Sequence, residues 1–364
     1  MHRRDFLRSV AATVAPMKLS DPKAIDQRWR TFELTTQIEI AKHPGATRVW
    51  VPLAMSAGSS YQKSLSRRIE CPEGSVKIFK TAQSSLAIVC AQFETGAKPI
   101  LTVVNEVATR SRQAHFSSPV PFVPKLSSLE RSYWLRSTKL LPTNGVVKEN
   151  ALAITATAKT DIDKARAIYD WIVENTFRKS ETRGCGLGDI RYMLESHDLG
   201  GKCADLNALF VGLARAAGLP ARDLYGIRVV KSELGYKSLG PSSENVTKAQ
   251  HCRAEVYLNG YGWFAVDPAD VRKVMLEEPP GNRPPTDQMV SSARARLFGS
   301  WEGNWIAYNC AHDITLPGSH RDSLPFLMYP QAETAEGLLD SLSPDHFRYE
   351  ITAKEITGKV KDPG

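Results

Sequence analysis

Residues Gly200–Asn207, which read GGKCADLN, decide how the rest of this chain is interpreted. Cys203 follows two glycines and precedes apolar residues that recur every three or four positions as far as Ala217, which predicts a helix that ends at Gly218. The unpaired N–H groups and the dipole at a helix N-terminus favour a thiolate and can stabilise an oxyanion. The stretch therefore predicts that Cys203 is a nucleophile.

A candidate base and a candidate acid lie on two predicted strands farther along the chain, where His251 begins one strand and Asp267 follows the next. The two strands are expected to form an antiparallel hairpin, because Asn-Gly begins the turn between them. Their apolar positions share one face only if the loop is three residues long, at 259–261. In that register Arg253 faces Asp267, and His251 lies diagonally across from Asp267 within hydrogen-bonding reach.

Cys203, His251 and Asp267 have the residue types that acyl transfer through a thioester requires. His251 would take the thiol proton and give it to the leaving amine, while Asp267 would fix the imidazole tautomer and stabilise the imidazolium. Each residue also has a structural alternative, since a cysteine is often a small buried residue and an aspartate before Pro268 often forms a turn. Their joint occurrence in a compatible register favours the catalytic interpretation.

The order of these three residues on helix, strand and strand resembles the transglutaminase-like superfamily. The resemblance covers residues 161–271 and includes Leu213–Arg222 at the end of the helix, Glu255–Tyr257 after the histidine, and Gly262-Trp263 before Asp267-Pro268. It implies an α+β fold with a papain-like or transglutaminase-like core, in which the nucleophile helix packs on an antiparallel sheet. Members commonly have an aromatic residue where this chain has Arg253, so the substrate preference implied by the resemblance is in doubt.

The resemblance implies a cysteine hydrolase, either a peptidase or an amidase, because bacterial members often resemble such enzymes. Three alternatives stay open: transglutaminase-type transfer to an amine, another cysteine acyltransferase that uses an acyl-thioester donor, and a non-catalytic binding or scaffold protein. The acceptor, water or an amine, depends on how far the cleft excludes water. A protein or peptide is the expected substrate.

Further site residues are predicted around the candidate triad. Cys185 lies in the glycine-rich segment 183–189 and is expected to line the cleft, although the glycines can also serve only to shape a turn. Arg253, Tyr257 and Trp263 share the predicted site face and are candidates for substrate binding, although aromatic residues at hairpins more often pack. A zinc site that includes Cys185 and Cys252 is disfavoured because no Cys-x-x-Cys pair is present, and neither a metal nor a cofactor is predicted.

Composition restricts the classes of partner. Hydrophobic residues make up 42% and charged residues 24% of the 364 residues, which is typical of globular proteins, and no apolar run is long enough for a membrane span. The net charge of +8 favours anionic partners, including components of the cell envelope such as acidic glycans or lipid headgroups. The basic residues are scattered and not interleaved with aromatic residues, so nucleic acid is not a predicted partner.

The N-terminus resembles a twin-arginine export signal, because Arg3 and Arg4 precede Phe6-Leu7. This favours a periplasmic location. The cytoplasmic alternative stays open, since the apolar stretch after the arginines is short and no clear cleavage site follows it. In an exported protein Cys71 and Cys90 could form a disulfide, and the sequence leaves that question open.

Changes in composition divide the chain into five predicted parts. Their boundaries are a signal at 1–20, an N-terminal β domain at 21–115, a linker at 116–150, the catalytic core at 151–278 and a C-terminal extension at 279–364. Within the core, a helix is predicted from Asp161, which would cap its start. No function is predicted for the extension.

Overall fold

The computed structural model of this protein describes residues 25–41, 45–56, 59–116 and 123–356. The predicted export signal at 1–20 lies outside these residues. The described strands are β1 (Arg30–Glu39), β2 (Thr47–Pro52), β3 (Gln62–Glu70), β4 (Ser75–Thr81), β5 (Leu86–Phe93), β6 (Ile100–Thr109), β7 (Arg112–Gln113), β8 (Phe177–Arg178), β9 (Gly200–Gly201), β10 (Ala221–Arg228), β11 (Gln250–Leu258), β12 (Gly262–Val266), β13 (Ser300–Trp301), β14 (Trp305–Asn309), β15 (Gln331–Thr334), β16 (Gly337–Leu338) and β17 (Arg348–Glu355). The described helices are α1 (Ser128–Leu135), α2 (Gly145–Ile154), α3 (Asp161–Asn175), α4 (Ile190–Ser196), α5 (Cys203–Ala216), α6 (Pro268–Glu277) and α7 (Gln288–Arg296), with a 3₁₀ turn at Lys237–Leu239.

The predicted N-terminal β region and the α+β class are confirmed. β1, β3 and β6 lie in one antiparallel sheet, whose order is β17-β1-β6-β3, and β2, β4 and β5 lie in another, whose order is β16-β15-β2-β5-β4. Ile38 of the first sheet and Val49 of the second are buried in one apolar cluster between them. The alternation of apolar residues that predicted these strands thus follows from a sheet with one buried face.

The segment predicted as a C-terminal extension is built into the rest of the molecule. It contributes β13 to β17, and these strands pair within four of the sheets that the described residues form. The strand β17 pairs with β1 over eight residues, and β14 pairs with β10 in the sheet that carries the candidate site. These pairings join strands that are distant in sequence, which no local pattern predicts.

The helix α5 is buried along its whole length and packs on the antiparallel sheet β12-β11-β10-β14. This is the arrangement predicted for the core. The helix is buried on all sides because α2, α3 and α4 cover the faces that the sheet does not. Gly218 ends the helix with a φ of +89°, a conformation that glycine adopts without strain.

The helix α3 begins one residue differently from the prediction. Asp161 was expected to cap its start, but Thr160 is the capping residue: its hydroxyl accepts a hydrogen bond from the Asp163 N–H. The carboxylate of Asp163 accepts one in return from the Thr160 N–H, at 3.1 Å. This reciprocal pair satisfies two N–H groups at once, so it is preferred over a cap by Asp161.

Two further expectations concern membranes and disulfides. Within the part of the chain that the structure describes, no helix has the length and apolar composition needed to cross a bilayer. Cys71 and Cys90, whose pairing the sequence left open, are free thiols, as are the other four cysteines.

Candidate active site

Cys203 is the first residue of α5, and its side chain lines a cavity of about 580 Å³, which we call the Cys203 cavity. The neighbouring backbone N–H groups have partners, since Lys202 donates to Asp205 Oδ2 and Ala204 donates to the Cys185 carbonyl, both at 2.9 Å. Among the described residues no group accepts from the N–H of Cys203 itself. One N–H group at the helix start is therefore available for an oxyanion that forms at the sulfur.

The glycine-rich segment before the nucleophile is shaped around the Asp205 carboxylate. The Oδ1 atom of Asp205 accepts hydrogen bonds from the N–H groups of Leu187 and Gly188, both at 2.9 Å. Gly186 has a φ of +95°, and a Cβ atom at this position would overlap the carboxylate. The glycines therefore let the segment wrap closely around the start of α5, which holds Cys185 beside Cys203.

His251 and Asp267 are joined by the hydrogen bond that the strand register predicted. β11 pairs with β12 through Ala254 and Val266, which confirms the three-residue loop. The distance from His251 Nε2 to Asp267 Oδ2 is 2.8 Å, and both side chains are buried. His251 also lines the Cys203 cavity. Because Nε2 is engaged by the carboxylate, Nδ1 is the ring nitrogen that remains for proton exchange with a thiol.

Asp267 is also the N-cap of α6. Its Oδ1 atom accepts a hydrogen bond from the Asp270 N–H at 3.1 Å and one from Asn207 Nδ2 at 3.2 Å. The sequence offered a turn-forming role as the structural alternative to catalysis for an aspartate before Pro268, and the structure shows that this side chain caps a helix while it also bonds to His251. Asn207 lies one helical turn after Cys203, so it ties the nucleophile helix to the histidine–aspartate pair.

Asp270 is a second carboxylate near the imidazole, which the sequence analysis missed. Its Oδ1 atom lies 3.5 Å from His251 Nε2, and both of its oxygens accept hydrogen bonds from Arg228 Nη2 at 2.6 Å. Burial acts to raise the pKa of Asp270, but the Arg228 guanidinium outweighs it and holds that pKa well below its usual range. Asp270 therefore stays ionised. An Asp-Pro-x-Asp spacing was visible in the sequence, but its partner Arg228 is 42 residues away.

The electrostatic surroundings favour a protonated imidazole. Burial and the Arg228 guanidinium act to lower the pKa of His251, but the Asp270 and Asp267 carboxylates outweigh them, so the pKa is raised. Burial and the neighbouring Asp270 raise the pKa of Asp267. A buried imidazolium beside two carboxylates is the partner that a thiolate requires.

Cys185 lies in the lining of the Cys203 cavity, as the sequence predicted. It is buried and donates from Sγ to the Gln250 carbonyl at 3.4 Å. Hydrogen bonds from Cys203 and Cys252 lower the pKa of the Cys185 thiol. Burial raises the pKa of Cys252, and its hydrogen bonds to Cys185 and Cys203 raise it further. The three thiols therefore form one hydrogen-bonded group beside the start of α5.

The other three candidates for substrate binding are corrected by the structure, because none of them lines the Cys203 cavity. Arg253 is buried, donates to the Glu302 carbonyl at 3.0 Å and lies over the ring of Trp305. Tyr257 donates to the Pro124 carbonyl at 2.7 Å, and the ring of Trp263 packs against it. Arg253 stays beside the histidine–aspartate pair, with its Nε atom 3.9 Å from Asp267 Oδ2. Tyr257 and Trp263 share the face of His251, but a strand rises roughly 3.3 Å per residue, which carries them away from the site.

One wall of the Cys203 cavity comes from the C-terminal segment, to which the sequence assigned no function. Its contributors are Tyr329, Leu342, Phe347 and Tyr349, among others. The Tyr329 hydroxyl forms a hydrogen bond with the Cys185 thiol. This wall belongs to residues more than 100 positions after the nucleophile, so no local signal could reveal it.

His251, Asp267 and Asp270 lie close enough together to resemble a metal site, since one possible ligand atom from each falls within 4.8 Å of the others. Their atoms are already committed to other partners. Both Asp270 oxygens accept from Arg228, and His251 Nε2 is bonded to Asp267. A cation would have to displace the guanidinium, so the donor set fits an ion-pair network better than a metal ligand set.

Comparisons with known proteins give the same fold and family. A family model for the transglutaminase-like superfamily matches residues 148–268, which include all three candidate catalytic residues. An uncharacterized protein of Haemophilus influenzae is 33% identical over 326 residues, which cover 86% of this chain and 87% of the relative.

The fold is also found among solved structures. A crystal structure from Cytophaga hutchinsonii, described as a candidate cysteine protease, superposes with a TM-score of 0.52 and 16% identity and covers 91% of this chain and 99% of that chain. At this identity the likeness concerns the fold alone. The periplasmic domain of TgpA from Pseudomonas aeruginosa is also similar, with 16% identity over 63% of this chain and 90% of that chain, but its TM-score of 0.34 supports no argument.

The matched family model, the full-length fold likeness and the helix–strand–strand arrangement of cysteine, histidine and aspartate lead to one assignment. This chain belongs to the transglutaminase-like superfamily, whose chemistry is cysteine-dependent acyl transfer or hydrolysis.

Proposed function

We propose that this protein hydrolyses a peptide or amide bond through a thioester on Cys203. The observation that carries the proposal is the hydrogen-bonded His251–Asp267 pair, which shares a cavity with a cysteine at the start of a helix. An unused N–H group and an open cavity beside the sulfur are what a carbonyl substrate needs.

Acylation begins when the Cys203 thiolate attacks the substrate carbonyl carbon. A sulfur–carbon bond forms, and the carbonyl oxygen becomes an anion that the Cys203 N–H stabilises. His251 then donates its Nδ1 proton to the leaving amine as the carbon–nitrogen bond breaks. Asp267 keeps the ring oriented throughout, since it holds Nε2.

Deacylation uses the same groups in reverse. The neutral His251 takes a proton from water, the resulting hydroxide attacks the thioester carbonyl, and the carbon–sulfur bond breaks to release a carboxylic acid. The proton taken from water stays on His251, so the departing thiolate and the imidazolium restore the starting pair. If an amine replaces water in this step, the same site performs transamidation, so the two reactions differ only in the acceptor.

A trapping experiment tests the proposal. The full chain is incubated with a proteome-derived peptide mixture, quenched in acid, digested with trypsin and searched by mass spectrometry for acyl adducts on the tryptic peptide 203–215. We expect a peptidyl thioester on this peptide, with none on the Cys203→Ala variant. Free carboxyl ends among the products indicate hydrolysis, whereas products joined to an added primary amine indicate transamidation. The absence of both adduct and product would contradict the proposal.

We also propose that the protein is exported to the periplasm, on the basis of the Arg3-Arg4 pair. The test is cell fractionation of the wild-type chain and of a variant with Arg3→Lys and Arg4→Lys. We expect the wild-type protein in the periplasmic fraction and the variant in the cytoplasm. Equal retention of both proteins in the cytoplasm would count against export.

A further inference from the structure

The Cys203 cavity has a strongly basic lining. No Asp or Glu is among its lining residues in the described part of the chain. The cations that line it are Arg178, Arg183, Lys202, Arg228, Lys248 and Lys273. A concave site lined by one sign of charge concentrates the opposite charge.

The carboxylates that pair with this lining do not balance it. The ion pairs are Arg228 with Asp270, Arg183 with Asp340, and both Arg178 and Lys273 with Glu277. Lys202 and Lys248 form no ion pair with a described residue. Six cations therefore face three carboxylates, which leaves an excess of three positive charges around the cavity.

Two local details indicate that the excess positive charge lies near Cys203, where the substrate carbonyl carbon would bind. Lys202 precedes Cys203 directly and is partly buried in the cavity wall. Burial and then the Arg228 and Arg178 guanidinium groups lower the pKa of Lys273, which shows that the cations repel one another across the cavity. A bound anion relieves this repulsion.

We propose that the Cys203 cavity selects acyl donors that carry a carboxylate close to the scissile carbonyl, which in a peptide means an acidic side chain or a free C-terminus. The carboxylate lies against Lys202 and Lys248, while the neutral amide carbonyl meets Cys203. This inference rests on the proposed function, because it names the substrate class of the same cysteine.

Two alkylating reagents of nearly equal size test the charge of the cavity. Iodoacetate is an anion and iodoacetamide is neutral, and both react with a thiolate by displacing iodide. The label is located by mass spectrometry on the tryptic peptide 203–215, which contains no other cysteine. The readout is the ratio of the iodoacetate rate to the iodoacetamide rate, because any change in nucleophilicity cancels in the ratio.

We expect this ratio at Cys203 to exceed that of N-acetylcysteine by about tenfold in low salt. It should fall towards the free-thiol ratio in 1 M NaCl, where the Debye length is about 3 Å. The substitutions Lys202→Gln and Lys248→Gln should each lower the ratio. Lys80→Gln is the matched control, since Lys80 is an exposed residue on β4 and does not line the cavity.

The outcomes separate this inference from the proposed function. A ratio at or below that of N-acetylcysteine overturns the anionic preference, even if iodoacetamide labels Cys203 rapidly. Iodoacetamide labelling no faster than that of the free thiol instead contradicts the activated nucleophile, and with it the proposed function.

Three blocked pentapeptides identify the source of the carboxylate by protecting Cys203 from iodoacetamide. One carries a central Glu and a C-terminal amide, the second is its Gln twin, and the third is the Gln twin with a free C-terminus. Stronger protection by the first assigns a side-chain carboxylate, and stronger protection by the third assigns a terminal one. Equal protection by all three overturns the inference.

Discussion

Three hydrogen bonds to the carboxylate of Asp267 fix which oxygen faces the imidazole. Oδ1 accepts from Asn207 and from the Asp270 N–H, which leaves Oδ2 for His251. An asparagine at 267 would keep its oxygen on those two donors and turn its NH₂ group towards His251. The imidazole would then have to accept at Nε2, so its proton would move to Nδ1, where the base is needed.

We therefore expect Asp267→Asn to lower kcat by about 10⁴-fold with a smaller change in KM. Asparagine caps helices as well as aspartate does, so the cap of α6 should survive and the free energy of unfolding should change little. Steady-state kinetics and urea denaturation of the same preparation check both statements. A variant that retains full kcat would contradict the assigned tautomer.

Asp270 affects the pH dependence of kcat/KM because it changes the pKa of the His251 imidazole. It raises the pKa of His251, so the imidazolium persists to a higher pH than a free histidine would allow. We expect Asp270→Asn to lower the pKa of His251 and to move the alkaline limb of the kcat/KM profile to lower pH, by roughly one unit. An alkaline limb that stays in place or moves upward would contradict this role.

The control for Asp270→Asn must address stability, because the substitution leaves Arg228 buried without its carboxylate. That loss costs about 3–5 kcal/mol. The double variant Asp270→Asn/Arg228→Gln removes both charges and should recover part of this stability. Since Arg228 lowers and Asp270 raises the pKa of His251, the alkaline limb of the double variant should lie near that of the wild type.

At the scale of elements, the position of the helix α5 depends on the glycine-rich segment that wraps around Asp205. We expect Gly186→Ala to lower the free energy of unfolding by about 3 kcal/mol or more, because the new Cβ meets the Asp205 carboxylate and the φ of +95° is strained. Iodoacetamide labelling of Cys203 should slow as the helix start moves. Urea denaturation and labelling rates provide the measurements.

Gly218→Ala is the matched control for this substitution. Gly218 has a similar φ of +89°, but nothing lies within 4 Å of the added Cβ. It should cost only about 1–2 kcal/mol from backbone strain and leave labelling of Cys203 unchanged. Equal effects of the two alanines would show that the contact with Asp205 does not matter.

The elements that hold the predicted triad could be read from sequence because their signals are local. The alternation of apolar residues in β11 and β12 fixed their register, and periodicity fixed the course of α5. The same alternation placed Arg253 opposite Asp267 correctly, but it misplaced Tyr257 and Trp263, because it gives the face of a strand and not the distance along it. Asn207 was within reach of prediction, since a polar residue among the apolar positions of a helix signals a specific partner.

At the scale of the whole molecule, the two ends of the described chain form one sheet. β17 pairs with β1 and buries Ile351 and Ala353, and Phe347 is buried just before it. The cavity wall formed by Phe347 and Tyr349 thus depends on a strand that the N-terminal region holds in place. Pairings between such distant segments are the part of the fold that sequence patterns could not supply.

A truncation tests this dependence. A chain that ends at Ser341 loses β17 and the burial of Phe347 and Ile351, which together contribute at least about 5 kcal/mol, comparable with the net stability of a domain. We expect it to lose cooperative unfolding in urea. A chain that ends at Ile356 keeps every described contact and should unfold as the full chain does. Equal unfolding curves for the two truncations would contradict this coupling.

The pairing of β1 with β17 also sets the order of events during synthesis. A ribosome releases β1 more than 300 residues before β17. The sheet that contains β1 and the C-terminal wall of the Cys203 cavity can therefore be completed only after β17 has been made. Cys203 emerges in between, without Tyr329 and Tyr349 beside it. More than 100 further residues are therefore added after the thiol before a complete substrate cleft exists around it.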